Sequence, residues 1–259
     1  MNTPFDFAGR HVFVAGGTSG INLGIAEGFA AAGALVAVCS RDPTKIAAAV
    51  ERLKTYGTDA AGFRADVRNY AEVDAALKEA FARFGAIDVL ISGAAGNFVA
   101  PALGMSSNGF KAVMDIDLLG TFNVMRAAHE HLKKPGASVI NISAGQASRP
   151  YKNQIHVCAA KAGVDQVTRV LALEWAGDGI RVNSIAPGPI ADTEGVRRLA
   201  PTPEAIAMVG KRVPLGRFGS KKEIADACQF LSSPLAQYIT GVVLPVDGGT
   251  AIAGAGELG

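Results

Sequence analysis

The chain has 259 residues, of which 49% are hydrophobic, and its 25 basic and 23 acidic side chains give a formal net charge of +2. A chain of this length can bury a sizeable core within one domain, so we expect residues 1–259 to form a single domain. Charges of both signs are spread along the sequence without a basic run or an aromatic-interleaved basic patch. This pattern argues against nucleic acid as a partner.

Cysteine usage favours a reducing compartment, and hydropathy argues against a membrane span. Cys39, Cys158 and Cys228 are odd in number and far apart, and no CxxC pair or histidine cluster has metal-ligand spacing. We therefore expect free thiols and no metal site. No apolar run approaches the roughly 18 residues of a membrane span. Neither a signal-peptide pattern nor a peroxisomal Ser-Lys-Leu address is present, so the expectation is a cytoplasmic protein with no membrane partner.

Seven short apolar runs, taken in chain order, predict strands. They are HVFVAG, LVAVCS, AGFRAD, IDVLISG, ASVINIS, IRVNSIAPG and VVLPVDGG, with amphipathic helical patterns between most of them. The alternation predicts an α/β fold with a doubly wound, mostly parallel seven-stranded sheet and helices on both faces. The longest helical patterns, 109–132 and 155–175, are expected to pack against the sheet or a partner subunit. Segment 191–212 is flanked by proline and glycine, and we expect it to form a substrate lid.

A glycine-rich loop follows the first predicted strand. The expected phosphate contacts are Gly16, Thr18, Ser19, Gly20 and Ile21. Glycines let the backbone approach a pyrophosphate, which amides at a helix N-terminus then stabilise. An ordinary strand–helix turn is the alternative. Asn22 stands where a third glycine is usual; because asparagine tolerates a left-handed backbone, binding should survive this departure.

The second predicted strand ends in Ser40 and Arg41 rather than in an acidic residue. A hydroxyl and a fixed cation suit the 2′-phosphate of an adenine ribose, which favours NADP(H) over NAD(H). The alternative for Arg41 is a solvated loop charge. Asp66 falls where such folds contact adenine, and the 93–96 turn, which contains Ala94, Ala95 and Gly96, ends another strand at the cofactor crevice.

Several motifs together resemble the short-chain dehydrogenase/reductase family across nearly the whole chain. They are GGTSGIN, ADV, the AAG turn, NIS, the lysine of AAKAG, RVNSIAPGPI and the terminal VDGG. The resemblance implies a Rossmann fold, a homotetramer, and reduction of carbonyls or oxidation of alcohols by a Ser, a Tyr and a Lys that an Asn assists. It also implies further cofactor contacts from Val67, Lys161, Pro187, Gly188, Pro189 and Ile190.

This chain retains only the lysine, Lys161, of that catalytic set. The positions of the Ser, Tyr and Asn hold Ala144, Val157 and Asp117. A narrower resemblance, to 2,4-dienoyl-CoA reductases and particularly the peroxisomal type, accounts for all three changes. It is carried by AAGNF, VMDIDLLGTFNV, the 156–161 segment, ALEW, IRVNSIAPGPIADTEGVRRL and SPLAQYITGVVLPVDGG. It implies NADPH-dependent reduction of a conjugated dienoyl thioester to a 3-enoyl-CoA.

The missing tyrosine suits this chemistry. Reducing a ketone puts negative charge on the oxygen beside the hydride-accepting carbon, where a phenol is the natural proton donor. In a conjugated thioester the proton is placed on carbon instead, so the donor must lie elsewhere. We expect Asp117 to hold or deliver that proton through a water, and the resemblance implies Asp247 as a second carboxylate. The alternatives are a helix residue bonded to the backbone for Asp117 and a turn former for Asp247.

A CoA thioester carries phosphates and a long arm, and the resemblance implies contacts for both. Arg68 and Arg198 are the expected cations, although a single surface arginine is more often solvated. The expected acyl entrance consists of Asn97, Phe98, Ser106, Ser107 and Asn108. His156 and Cys158 lie beside the missing tyrosine and are expected to pack rather than to catalyse.

Three functions remain open on the sequence. The first is an NADPH-dependent 2,4-dienoyl-CoA reductase or a related enoyl-thioester reductase. The second is a carbonyl reductase or alcohol dehydrogenase with an atypical acid, and the third is a catalytically silent NADP-binding protein. Retention of Lys161 together with an ionisable Asp117 favours the first.

Overall fold

Every apolar run predicted as a strand forms one. A computed structural model describes residues 5–194, 196 and 202–253. The strands are β1 (His11–Ala15), β2 (Leu35–Ser40), β3 (Ala60–Arg64), β4 (Val89–Ser92), β5 (Ser138–Ile142), β6 (Arg181–Pro187) and β7 (Val243–Val246). They pair in parallel in the order β3-β2-β1-β4-β5-β6-β7. This confirms the predicted doubly wound sheet.

Helices connect the strands and cover both faces of the sheet. They are α1 (Gly20–Ala31), α2 (Pro43–Lys54), α3 (Tyr70–Phe84), α4 (Ser107–Val113), α5 (Gly120–Ala128), α6 (Ile155–Glu174), α7 (Pro203–Arg212) and α8 (Lys221–Ser232). Short polar side chains define several helix starts, as expected for capping residues. Asp42 accepts hydrogen bonds from the backbone at the start of α2, and Asn69 does so for α3. Ser220 and Glu223 form a capping box at the start of α8.

Alternation along the strands divides the core into two layers. Val12 and Val14 of β1 point into a cluster with buried residues of α1, α2 and α8. Phe13 and Ala15 point into the opposite cluster, with residues of α3, α5 and α6. Because both faces of the sheet are covered, most strand residues are apolar, which explains why the strands appear in the sequence as largely apolar runs.

The helical stretch predicted over residues 109–132 is not one α-helix. A π-helical segment, Met114–Leu119, separates α4 from α5, and a 3₁₀ turn, His129–His131, follows α5. The π turn contains the buried Asp117. Such turns insert an extra residue into a helix, and they occur frequently at functional sites. The apolar period of the sequence predicts a helix but does not distinguish i→i+4 from i→i+5 bonding.

The order of the strands determines where a ligand can bind. The chain leaves β3 at one edge of the sheet and returns in the middle as β4, beside β1. Connections on the two sides of this point diverge, which opens a crevice at the carboxyl ends of β1 and β4. The glycine-rich loop follows β1, and the 93–96 turn follows β4.

Among the described residues, no helix combines the length and the apolar character that crossing a bilayer requires.

His11 makes the stability of this fold sensitive to acid. Its side chain is buried, and its Nδ1 lies 2.8 Å from the carbonyl oxygen of Gly85, so Nδ1 carries the proton of the neutral ring. Burial lowers the pKa of His11, although the Gly85 carbonyl and the Asp88 charge oppose this shift. A depressed folded-state pKa contributes stability above the unfolded value of about 6.5. That contribution is lost as the pH falls through the folded pKa.

We therefore expect His11→Asn, whose amide can still donate to Gly85, to weaken the acid dependence of unfolding. The slope of unfolding free energy against pH below about 6.5 should fall by up to one proton, about 1.4 kcal/mol per pH unit. Urea titrations at a series of pH values measure this slope. An unchanged slope would show that His11 does not titrate on unfolding.

Candidate active site

A cavity of about 1770 Å³ lies at the carboxyl ends of the strands. Every residue predicted to bind the cofactor lies on its wall, from the loop after β1 to the segment after β6. Asp117, Asp247 and Asn97 also lie on this wall. The predicted cofactor residues and both predicted carboxylates therefore surround one space.

The glycine-rich loop has the backbone that its sequence predicts. Gly16 and Gly20 have φ values of +78° and +58°. A Cβ on Gly16 would also lie 2.9 Å from the Cα of Ala94, so a larger residue would separate the two cofactor loops. The first turn of α1 contains no acidic residue and Ser19 makes no side-chain cap. The positive end of the helix is therefore not compensated by a nearby carboxylate.

The explanation expected for Asn22 is wrong. Asn22 lies inside α1, and the left-handed residues are Gly16 and Gly20. Its side-chain amide instead donates a 2.6 Å hydrogen bond to the carbonyl oxygen of Gly93. Asn22 thereby connects the first turn of α1 to the turn after β4.

A charged network lies at the ends of β2 and β3. Arg68 forms a bidentate pair with Asp66, with 2.5 Å between Arg68 Nη2 and Asp66 Oδ2, and Arg41 Nη1 lies 3.9 Å from the same oxygen. The hydrogen bonds from Arg68 lower the pKa of Asp66. Arg41 is 61% exposed, and Arg68 does not lie on the cavity wall. Arg41 can therefore turn toward an anion in the cavity, whereas Arg68 is held on Asp66.

A buried ion pair lies on the wall of the cavity. Lys161 Nζ lies 3.3 Å from Asp117 Oδ2, and both side chains are less than 10% exposed. Asp117 Oδ1 accepts a 2.7 Å hydrogen bond from the Gly96 backbone, and Lys161 donates to the Ile142 carbonyl at 3.0 Å. The π turn, α6, β5 and the turn after β4 thus meet at two side chains.

The wall beside this pair is apolar where the wider family places hydroxyl groups. Ala144 and Val157 both lie on the cavity. Val157 is buried in a small cluster with Val113 and Ala160. Neither position offers a proton.

His156 packs beneath this wall rather than lining the cavity. It is fully buried, and its ring centroid lies 4.4 Å from that of Phe98. Burial lowers the pKa of His156, against the opposing effects of the Phe98 backbone and the Asp117 charge. The arrangement fits the expected packing role.

Asp247 forms the turn that follows β7. Its Oδ1 accepts a hydrogen bond from the Gly249 backbone at 2.9 Å, and its Oδ2 accepts one from the Ala251 backbone at 2.6 Å. Both oxygens are therefore engaged, as the turn-former alternative requires. Its position on the cavity wall keeps its predicted catalytic role open to test.

The predicted acyl entrance is only partly assembled at the cavity. Asn97 lines the wall, whereas Phe98 packs on His156 and is absent from the wall. Ser106 caps α4 by accepting from the Gly109 backbone, and segment 106–108 lies off the wall. Arg198 lies outside the described residues. The roles of these residues stay predictions.

Two further parts of the wall were not predicted as contacts. Gln146, Arg149, Tyr151 and Gln154 line the cavity between β5 and α6. They follow the carboxyl end of β5, and the rule that parallel strands end at one edge would have drawn attention to them. Within the predicted lid, α7 contributes Val209, Lys211 and Arg212 to the wall. Residues 195, 197–201 of that segment lie outside the described part, so its mobility stays a prediction.

Comparison with known proteins places the chain among oxidoreductases. Residues 15–251 match the family described as Enoyl-(Acyl carrier protein) reductase. The chain is 44% identical over 239 residues to a peroxisomal 2,4-dienoyl-CoA reductase of Pongo abelii that is named as (3E)-enoyl-CoA-producing; the match covers 92% of this chain and 82% of the relative. It is 40% identical over 243 residues to a Bacillus subtilis (strain 168) protein named a probable 2,4-dienoyl-CoA reductase, (2E)-enoyl-CoA-producing; that match covers 93% and 96%.

A solved structure agrees with the fold. The crystal structure of a short chain dehydrogenase from Bacillus anthracis str. 'Ames Ancestor' superposes with a TM-score of 0.82 at 37% identity. The superposition covers 93% of this chain and 96% of that one. The likeness therefore extends over nearly the whole described sheet and its helices.

Proposed function

Because the chain belongs to the short-chain dehydrogenase/reductase family, we propose that it reduces a 2,4-dienoyl-CoA with NADPH. Membership makes the protein an oxidoreductase with a nicotinamide cofactor. The observation that carries the narrower proposal is the pairing of Asp117 with Lys161 beside an apolar wall. A site without a phenol or a hydroxyl at positions 157 and 144 suits a reaction that places its proton on carbon.

The residues present fit the cofactor. A Cβ on Gly16 would meet the Ala94 backbone, so glycine lets the loop after β1 and the turn after β4 approach each other closely. The start of α1 offers amides to a pyrophosphate, and Arg41 offers a guanidinium to a 2′-phosphate. The reduced nicotinamide supplies a hydride when bound.

Side chains of the protein bind the cofactor and the substrate and handle the proton. Lys161 is held in place by the Ile142 carbonyl and by Asp117. In this proposal, the ammonium group of Lys161 holds the nicotinamide ribose. Asp117 holds or delivers the proton through a water. Val157 and Ala144 present an apolar surface to the conjugated acyl chain, which favours burial of its carbon atoms. Asp247 remains the second candidate for handling the proton.

The proposal predicts the substrate. We expect the wild type to oxidise NADPH with a 2,4-dienoyl-CoA and to be inert toward a matched 3-ketoacyl-CoA, because position 157 holds no phenol that could protonate an alkoxide. Asp117→Ala should lower kcat/KM for the dienoyl thioester about 100-fold or more. Loss of absorbance of NADPH measures both.

The matched control is Asp115→Ala, which removes a more exposed carboxylate from the same π turn, where it pairs with Lys111. Its activity should stay within about threefold of wild type. Turnover of the keto substrate alone would contradict the proposal and favour a carbonyl reductase. Tight NADPH binding with neither substrate turned over would favour a silent binding protein.

The cofactor proposal depends on Arg41. Arg41→Ala should weaken NADPH binding roughly tenfold or more, because a charged hydrogen bond to phosphate is lost, and should leave NADH binding nearly unchanged. Arg83→Ala serves as the control, since Arg83 pairs with Asp59 away from the cavity. Titration of cofactor fluorescence measures the four affinities. Equal losses for NADPH and NADH would rule out a 2′-phosphate contact.

We also propose a homotetramer in the cytoplasm. Both long helical stretches leave large apolar side chains exposed: Leu119 and Phe122 on one, and Val170 and Leu173 on the other. Such a patch favours burial against a second copy. The cytoplasmic location stays a prediction from composition, and the Pongo abelii relative is named peroxisomal.

The assembly is tested by Leu173→Glu, which places a charge on a side chain that is 81% exposed. Light scattering should show a mass below that of the wild type. Leu103→Glu, at an exposed residue of the short 3₁₀ turn Ala102–Gly104, should leave the mass unchanged. A wild type that is monomeric would contradict the proposal.

A further inference from the structure

One face of α6 meets β5 through three polar side chains. Lys161 donates to the Ile142 carbonyl, and the Thr168 hydroxyl accepts a 2.8 Å hydrogen bond from the Asn141 amide. Asp165 lies between them on the same face, one helical turn after Lys161. The lysine and the threonine are satisfied by β5, whereas the aspartate is not accounted for by packing or by the reaction described above.

Asp165 is a buried carboxyl with an unused oxygen. It is 6% exposed, and within the described ranges its Oδ1 has no hydrogen-bond partner. The carboxyl lies beside Ser143, which is 3% exposed, lines the cavity, and has an Oγ that likewise lacks a hydrogen-bond partner in the described part of the chain. Ser143 directly precedes Ala144, so a hydroxyl is still present directly after β5, one position before the lost one.

The charges around Asp165 favour its neutral form. Burial raises the pKa of Asp165, and this outweighs the opposing effects of the Ser143 hydroxyl, Arg169 and Lys161. Arg169 is exposed to solvent, and Lys161 is already paired with Asp117 at 3.3 Å. A second ionised carboxylate would leave this pocket with an excess negative charge, which a buried site disfavours.

We propose that Asp165 is the proton store of this site and that Ser143 carries its proton to the substrate. After hydride has added to the far end of the diene, the thioester holds the extra electron pair as a dienolate. That pair forms a C–H bond with the Ser143 hydroxyl proton, and Ser143 takes the Asp165 proton in turn. Asp165 is left as a carboxylate and regains a proton from solvent before the next turnover. Asp165 thus acts through Ser143 and touches no reacting atom.

This inference rests on the proposed reaction, so its test has one readout that does not require turnover. The infrared spectrum of the cofactor-free protein should contain, at neutral pH, a protonated-carboxyl band that Asp165→Asn removes. In steady-state assays with a 2,4-dienoyl-CoA, Asp165→Asn and Ser143→Ala should each lower kcat about tenfold or more, with KM and NADPH affinity within about twofold of wild type. Wild-type kcat should fall as the pH rises through the pKa of Asp165, and Asp165→Asn should lack this limb.

Thr168→Val is the matched control, because it removes a buried hydroxyl from the same face of α6 without touching the cavity. It should retain the wild-type pH profile, even if its stability falls. A wild-type profile and kcat in Asp165→Asn, or the absence of the carboxyl band, would overturn the proton store. A wild type that is inert toward every dienoyl-CoA would instead overturn the proposed function, and the band would still decide whether Asp165 holds a proton.

Discussion

The buried contact between Asp117 and Lys161 is the constraint on which the site depends. Burying two charges is costly, and a buried pair persists only where further hydrogen bonds satisfy both partners. Here the backbone of Gly96 binds the carboxylate, and the carbonyl of Ile142 binds the ammonium. The pair therefore holds four parts of the chain together. Asp117 joins the π turn to the turn after β4, and Lys161 joins α6 to β5. Moving any one of them would leave a charge without its partner.

The cavity is chemically divided along its length. At the end of β2 it presents Ser40 and the exposed guanidinium of Arg41, which suit a phosphorylated ribose. Near Lys161 it presents Ala144 and Val157, which cannot donate a proton. Buried carboxyl groups lie beside these two apolar residues, and polar side chains of the 146–154 segment line the cavity elsewhere. A site with this division suits a highly charged group at one end and an apolar group at the other.

The sequence predicted most of what local pattern controls. The strands could be predicted because strands covered on both faces are mostly apolar, and the cofactor loops could be predicted because glycine spacing reflects backbone geometry. The role of Asn22 was not, since its partner Gly93 lies 71 residues away along the chain. Asp165 gave no signal either: a lone acid in a helix looks solvated until the fold buries it beside Ser143. The π turn could not be predicted either, because the spacing of apolar residues does not distinguish a π turn from an α-helical turn.

That π turn also separates two helices that differ in how many of their residues are buried. On its far side, α5 buries seven of its nine residues against the sheet, whereas α4 buries only Val113. A segment with few buried contacts opens at low free-energy cost, and a well-packed one does not. We therefore expect α4 to open more readily than α5, so the stretch from Ser107 to Ala128 does not behave as one rigid helix. Asp117, which is buried, lies in the π turn between them.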